Sequence, residues 1–277
     1  MGAISNYSAY KQAFTESPVI MSTLRGLTSS FSALCSPSPL VVPTNSVGLS
    51  SANSALIPAP TWPSSFSSQA WLAEAVVGGF GSANGNAARS VIWLADFLVH
   101  SGGMSGTVTT EQTTGLPTVA LSRYTNGDGI MAALIVYTSL GSTATTATLN
   151  YTNQSGTAGR TSQPIVVPAS APDKSIARGI LVFCLQDGDT GVRSVEGLTL
   201  AGSTGTAGNF GVLLFKPIAM LGGTCAEGID RAPTREMLLS GGAMAEILQG
   251  ACLSALYTYV SNSGSPVITA QLRVIMA

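Results

Sequence analysis

The pattern in this sequence that comes closest to a chemical motif is a glycine series in the segment LAGSTGTAGNFG. Glycine recurs every third residue, at Gly202, Gly205, Gly208 and Gly211. A dinucleotide-binding loop needs G-x-G-x-x-G and a P-loop needs G-x-x-x-x-G-K-S/T, each followed by a helix whose N-terminus holds phosphate. The series fits neither spacing, and the residues VLLF after Gly211 indicate a strand. The pattern therefore predicts a hairpin loop, in which glycine supplies positive φ angles.

Two aspartates have a spacing that can begin a calcium-binding loop. Asp187 and Asp189 lie in QDGDTG, but an EF-hand would need an acidic or amide residue in place of Gly191 and glutamate in place of Leu198. We therefore predict a β-turn here and neither metal nor cofactor. Asp187 and Asp189 are the candidates should a metal bind.

The sequence contains few of the motifs that nucleophilic or acid–base catalysis requires. His100 is the single histidine and follows a predicted helix, where histidine more often stabilises a helix end. No G-x-S-x-G elbow occurs, and Ser8 with Lys11 matches S-x-x-K without the KTG or SDN partners of β-lactamase-like enzymes. Sequence does not identify a glycosidase carboxylate pair, because its separation is set in space. We predict no catalytic residue and no enzymatic activity.

The elements that would position these residues are mostly short strands. From Gly106 onward, β-branched and aliphatic runs alternate with turn signals such as NGDG and DGDTG. The run TATTATLNYT alternates polar and apolar residues as a half-exposed strand does. GTAG occurs at 156–159 and again at 205–208, which suggests two similar hairpins. We predict a mainly β protein, an antiparallel, jelly-roll-like β-sandwich with an extended N-terminal arm and one or two short helices.

The chain divides into an arm and a domain. Residues 1–85 are rich in proline and serine and predict an extended arm, with a short helix in the first 33 residues bounded by Pro18. Residues 86–277 predict the sandwich, preceded by one amphipathic helix over 86–101, where apolar residues recur at helical spacing. The arm carries apolar residues that need burial, and we expect them to contact neighbouring subunits. These interaction residues are Leu40, Val41, Val42, Leu56, Ile57, Trp62 and Phe66.

Low charge is the main feature of the composition. Only 9% of the 277 residues are charged, and the net charge is −1, whereas about 25% is usual for a soluble domain. Little self-repulsion therefore opposes association. No run of Lys or Arg occurs, which argues against nucleic acid as a partner.

Membrane insertion and metal-binding cysteines are not indicated either. The longest clean apolar run, IMAALIVY, is too short for a spanning helix, which needs about 20 residues, and we expect no secretory signal. The four cysteines form no CxxC pair. Cys184 and Cys252 lie in apolar stretches, so we expect buried thiols there.

Three stretches between His100 and Ala219 resemble a family of virion structural proteins from tailed bacteriophages. They are HSGGMSGTVTTEQTTGLPTVALSRYTNGDGIMAALIVYT, LNYTNQSGTAGRTS and DTGVRSVEGLTLAGSTGTAGNFGVLLFKPIA. The resemblance implies a structural, non-enzymatic protein located in the virion and assembled in the host cytoplasm. By analogy with decoration proteins, we expect a capsid decoration or cement protein that forms a homo-oligomer, a trimer, and binds the major capsid protein or other virion proteins. Alternatives are a neck, tail or fibre component and, from another class, a carbohydrate-binding module.

Overall fold

Strands make up all the regular structure of the described part of the chain. The computed structural model describes the backbone of residues 18–26, 36–39, 55–56, 70–78, 88–113, 116, 120–170, 180–225, 234–236, 245–248, 251–260 and 267–276. The strands are β1 (Pro18–Gly26), β2 (Ser36–Pro39), β3 (Ala55–Leu56), β4 (Ala70–Gly78), β5 (Ala88–His100), β6 (Met131–Thr138), β7 (Thr145–Asn153), β8 (Arg160–Thr161), β9 (Ile165–Val167), β10 (Ile180–Val182), β11 (Val192–Leu200), β12 (Asn209–Cys225), β13 (Thr234–Glu236), β14 (Ala245–Ile247), β15 (Leu253–Val260) and β16 (Val267–Met276). In these residues no helix has the length and hydropathy that a membrane crossing requires.

The strands form three sheets, and every pairing between them is antiparallel. The large sheet has the order β10-β6-β12-β5-β15-β2, with β3 also paired to β5. The small sheet has the order β11-β7-β8, with β9 also on β7. The terminal sheet has the order β1-β16-β4-β13, with β14 also on β4. The predicted antiparallel, mainly β sandwich is confirmed.

One hydrophobic core joins the large and small sheets. Leu149 and Tyr151 of β7 pack with Phe210, Val212 and Leu214 of β12 in a single buried cluster. A second cluster lies on the opposite face of the large sheet, because successive strand residues point to opposite sides. Side chains on both faces of the large sheet are therefore buried.

Strand β7 has the alternation that its sequence predicts. Ala147, Leu149 and Tyr151 are buried, whereas the adjacent Thr146 and Thr148 are partly exposed. The threonines therefore lie on the outer face of the small sheet and the apolar residues in the core.

The helix predicted over 86–101 is wrong, because Ala88–His100 forms strand β5. This strand lies between β12 and β15 in the large sheet, and its described side chains, residues 94–100, are buried on both faces. A strand buried on both faces has a nearly continuous apolar sequence. A β-bulge skips Leu98 in the register with β12, which places Leu98 and Val99 in the same core cluster. Because both faces are buried and the bulge interrupts the alternation, the apolar residues of β5 recur at a spacing that resembles the apolar spacing of an amphipathic helix.

Strands from the predicted arm pair with later parts of the chain. Strands β1 and β4 both pair with β16, β2 pairs with β15, and β3 pairs with β5. Of the first 33 residues the structure describes Pro18–Gly26, which forms a strand; the residues before Pro18, where the short helix is predicted, lie outside the described residues. Leu56 lies in β3, while Leu40, Val41, Val42, Ile57, Trp62 and Phe66 lie outside the described residues.

Candidate functional site

The glycine series lies in a connection between two sheets. It joins β11, which pairs with β7 in the small sheet, to β12, which pairs with β5 and β6 in the large sheet. The prediction of a strand after Gly211 is confirmed, but the hairpin prediction is wrong, because β11 and β12 are not neighbours. Gly205 and Gly208 have φ angles of 88° and 53°, which residues with a side chain rarely adopt.

Hydrogen bonds of the Thr204 hydroxyl join its loop to the neighbouring loops that contain Gly106 and Gly141. Thr204 is 1% exposed, and its hydroxyl contacts the carbonyl oxygens of Gly106 and Thr206 at 3.1 and 2.9 Å. The backbone N–H of Gly141 donates to the same hydroxyl at 3.1 Å. A Cβ atom on Gly141 would overlap the carbonyl oxygen of Thr204, so the two loops are in direct backbone contact. The glycines hold loops together here and leave no phosphate cradle.

The earlier GTAG segment has a different role. Residues 154–159 connect β7 to β8, which pair with each other, so this segment does form a hairpin. The N–H of Gly156 donates to the carbonyl oxygen of Asn153 at 3.0 Å within the turn. The two GTAG segments lie at opposite ends of β7, because Thr204 contacts Thr143 just before the strand begins. The predicted pair of similar hairpins is therefore wrong for the second segment.

The carboxylate of Asp189 is held by three side chains of the β7–β8 hairpin. It accepts hydrogen bonds from the Tyr151 hydroxyl at 2.5 Å, from Nδ2 of Asn153 at 2.7 Å and from Nε of Arg160 at 3.0 Å. Only 3% of its side chain is exposed. Burial by itself would raise the pKa of Asp189, but the hydrogen bonds from Arg160, Tyr151 and Asn153 together lower it to about 2.

These contacts give Asp189 a structural role, tying the turn before β11 to the hairpin. Asp187 is exposed, and its carbonyl oxygen contacts Nη2 of Arg160 at 3.5 Å. Among the residues described, no group of three or more His, Cys, Asp or Glu side chains has the geometry to hold a metal ion.

A buried ion pair joins three distant segments of the chain. Nε and Nη2 of Arg123 each donate to the carboxylate of Asp96 at 2.8 Å, and the N–H of Cys252 donates to it at 2.7 Å. Nη2 of Arg123 also contacts the carbonyl oxygen of Phe97 at 3.2 Å. Asp96 is 0% and Arg123 is 7% exposed. Burial raises the pKa of the Asp96 carboxyl, and the hydrogen bonds and charge of Arg123 oppose that rise.

Sequence reasoning missed this pair for a physical reason. Asp96 lies inside the apolar run that was predicted to be a helix, and Arg123 lies in a loop before β6. A single charged residue in a buried strand does suggest a partner, because an unpaired charge would not be buried. Nothing in the spacing says which residue that partner is.

His100 lies at the end of β5 rather than after a helix. Its Nδ1 is 3.3 Å from the hydroxyl of Tyr137, which donates to the carbonyl oxygen of Ser101 at 2.8 Å. Burial lowers the pKa of His100. These neighbours give the imidazole a structural setting in the large sheet. Ser8 and Lys11 lie outside the described residues.

Cys184 is exposed, so the predicted buried thiol is wrong at this position. It directly follows the buried Phe183 in the segment after β10. In this apolar run Ile180 and Phe183 are buried, Leu181, Val182 and Leu185 are half-buried, and Cys184 meets solvent. Cys252 is half-buried and packs against the second core cluster.

A cavity of about 370 Å³ lies between the large and small sheets. Val212 and Leu214 of β12 form one wall, and Val195 of β11 forms the other. Arg193 and Ser194 lie at its rim, where both are exposed. It is thus mostly apolar inside and polar at its opening.

Comparison with known proteins gives no family. No protein-family model matches the chain, and no curated protein matches it. Among solved structures, the crystal structure of the infectious bursal disease virus VP2 subviral particle matches with 9% identity and a TM-score of 0.21, covering 94% of this chain and 81% of that chain. The Gx strain of infectious bursal disease virus matches with 12% identity and a TM-score of 0.23, covering 93% of this chain and 79% of that chain. TM-scores this low support no conclusion about fold or function.

Proposed function

We propose that this chain is a non-enzymatic structural protein of a tailed-bacteriophage virion. In its most specific form, the protein is a capsid decoration or cement protein that binds the major capsid protein and assembles as a homo-oligomer, a trimer. The resemblance of the segment from His100 to Ala219 to tailed-phage virion proteins supports this class. The antiparallel sandwich is compatible with it.

The observation that carries the proposal is the low charge of the chain, together with the burial of an ion pair inside the protein. Asp96 and Arg123 form an ion pair inside the protein, and the Asp189 carboxylate is also buried against its partners. The outer face of the small sheet presents hydroxyl groups at Thr146 and Thr148 of β7, and Glu196 of β11 accepts a hydrogen bond from Thr152 there. Burying charge in an interface is costly, whereas a surface of hydroxyls and small apolar groups is desolvated at lower cost. Such a surface suits permanent association with other subunits.

The interaction residues of the N-terminal part belong to the same proposal. Strand β2 lies at the edge of the large sheet, and Leu40, Val41 and Val42 follow it directly. Leu56 ends the short strand β3, and Ile57, Trp62 and Phe66 precede β4. We propose that these apolar side chains contact neighbouring subunits, where their burial would favour association.

Counting copies in the purified virion tests the proposed role. The chain is quantified by mass spectrometry against the major capsid protein. Hundreds of copies support decoration of the head, and six or twelve support the neck alternative. A virion without the chain would refute any structural role in it.

A substitution pair tests the proposed contacts. Val42→Asp adds a charge to a proposed contact, and Val166→Asp adds the same charge at a residue of β9 that is 67% exposed. We expect Val42→Asp to lower the oligomer mass measured by light scattering and Val166→Asp to leave it unchanged, with both variants folded by circular dichroism. Equal masses for both folded variants would contradict the proposed contact.

A glycan array tests the carbohydrate-binding alternative. That alternative needs exposed aromatic side chains or polar groups arranged for a sugar. Specific binding of one glycan class by the folded protein would favour it over the structural role. No binding would leave the virion proposal in place.

A further inference from the structure

The cavity between the large and small sheets has the size of a ligand site. Its volume is about 370 Å³, and small-molecule sites commonly measure about 300–1,000 Å³. Protein interiors are otherwise packed with few spaces larger than a water molecule. A space of this size between two well-packed sheets therefore calls for a functional interpretation.

The inner wall of the cavity is apolar and rigid. Val99, Val212 and Leu214 come from paired strands of the large sheet, and all three are buried. Leu121 closes another side and is 5% exposed. A wall of this kind favours hydrocarbon and offers no hydrogen bond, because the backbone groups of paired strands are already engaged.

The rim offers hydrogen-bond donors from one free guanidinium. Arg193 is exposed, and it forms no ion pair among the described residues, in contrast to Arg123 and Arg160. Thr152 and Ser194 also lie at the rim, but their hydroxyls already donate to Oε1 of Glu196 at 2.6 and 2.9 Å. Arg193 is therefore the rim group able to bind an anion, and a guanidinium pairs well with a carboxylate.

We propose that this cavity binds an amphipathic carboxylate, with the hydrocarbon chain between the two sheets and the carboxylate at Arg193. The chemical class is that of a medium-chain fatty acid. This site is independent of the proposed virion role, because it requires only the folded chain. Glu196 accepts hydrogen bonds from Thr152 and Ser194 at the rim, so its negative charge opposes a bound carboxylate. The positive charge of Arg193 must outweigh this repulsion for a carboxylate to bind.

Calorimetric titration of the whole protein with decanoate tests the site. We expect one decanoate per chain, and about tenfold weaker binding for Arg193→Gln, the effect of losing one exposed charge-assisted hydrogen-bonded pair. Lys216→Gln is the matched control, because it removes a positive charge from a residue that does not line the cavity. Decan-1-ol has the same chain without the charge, and its affinity should be equal in the wild type and Arg193→Gln.

A second variant separates the cavity from the outer surface. Ser194→Phe places a large side chain at the exposed rim, where it obstructs entry without changing the buried wall, and we expect it to abolish decanoate binding. Glu196→Gln should tighten binding. Absence of decanoate binding to the folded wild type, or binding that neither Arg193→Gln nor Ser194→Phe alters, overturns the proposal. Equal loss of affinity in Arg193→Gln and Lys216→Gln overturns the role of Arg193.

Discussion

Replacing Asp96 with asparagine removes the negative charge from a carboxylate that three hydrogen bonds hold inside the protein. Two of those bonds come from Arg123 and one from the N–H of Cys252, all between 2.7 and 2.8 Å. Asparagine has nearly the same shape, so packing changes little. Arg123, which is 7% exposed, is left as a buried positive charge without its counter-ion.

The expected cost is about 3–5 kcal/mol, the range for breaking a buried ion pair by removing one partner. That is a large share of the roughly 5–15 kcal/mol that stabilises an ordinary domain. Arginine does not lose its proton in proteins, so Arg123 has no way to neutralise itself. Arg123 therefore stays a buried, unpaired charge in Asp96→Asn at every pH of the assay.

The partner substitution, Arg123→Met, should behave differently with pH. Burial already raises the pKa of Asp96, and without Arg123 it rises further above the unfolded value of 3.8. A folded-state pKa above the unfolded one favours the folded protein at low pH, and this contribution is lost as the pH rises through the folded pKa. The cost of Arg123→Met relative to the wild type should therefore be smallest near pH 4 and grow toward neutral pH.

Urea unfolding at several pH values, with linear extrapolation to water, measures these differences. The double variant Asp96→Leu/Arg123→Met is the control for the charge, since it replaces the pair by apolar groups. It should be more stable than either single variant at pH 7, because no unpaired charge remains buried. A loss below about 1 kcal/mol in Asp96→Asn, or a double variant less stable at pH 7 than either single variant, would refute this account of the pair.

Three further predictions concern other parts of the molecule. The wild type should lose stability as the pH falls from 3.8 toward 2, where the depressed pKa of Asp189 lies, and Asp189→Asn should flatten the pH profile of its melting temperature in that range. Thr204→Val keeps the shape but removes the hydroxyl from buried loop contacts, and should cost about 2 kcal/mol in urea unfolding. Burial lowers the pKa of His100 below 6.5, so its neutral form stabilises the protein above pH 6.5, and this stability declines below it. His100→Gln should remove that decline from the melting-temperature profile.

Each of these predictions has a matched comparison. Asp187→Asn removes an exposed carboxylate next to Asp189 and should leave the acid profile unchanged. Ser203→Ala removes an exposed hydroxyl beside Thr204 that accepts a hydrogen bond from the N–H of Gly205, and should cost much less than Thr204→Val. A histidine contribution is ruled out if His100→Gln and the wild type decline in parallel below pH 6.5.

The strands that the sequence predicts well are those with one face in the core. In β7, Ala147, Leu149 and Tyr151 alternate with polar residues, because one face packs and the other meets solvent. In β5, residues 94–99 are all buried, since the strand has neighbours on both sides and cover on both faces. Period-two alternation is absent there, so local pattern could not distinguish this strand from a helix.

The sequence by itself determined the β class, the positions of many turns and the scarcity of charge. Each of these depends on local residue preference or on composition. Tertiary structure alone decided that Asp96 pairs with Arg123, that Asp189 binds the β7–β8 hairpin, and that the loop containing Thr204 crosses between sheets. Those outcomes join residues far apart in the chain, and glycine and aspartate in a turn look the same whichever strands the turn connects. Which strands become neighbours is settled only when the whole core packs.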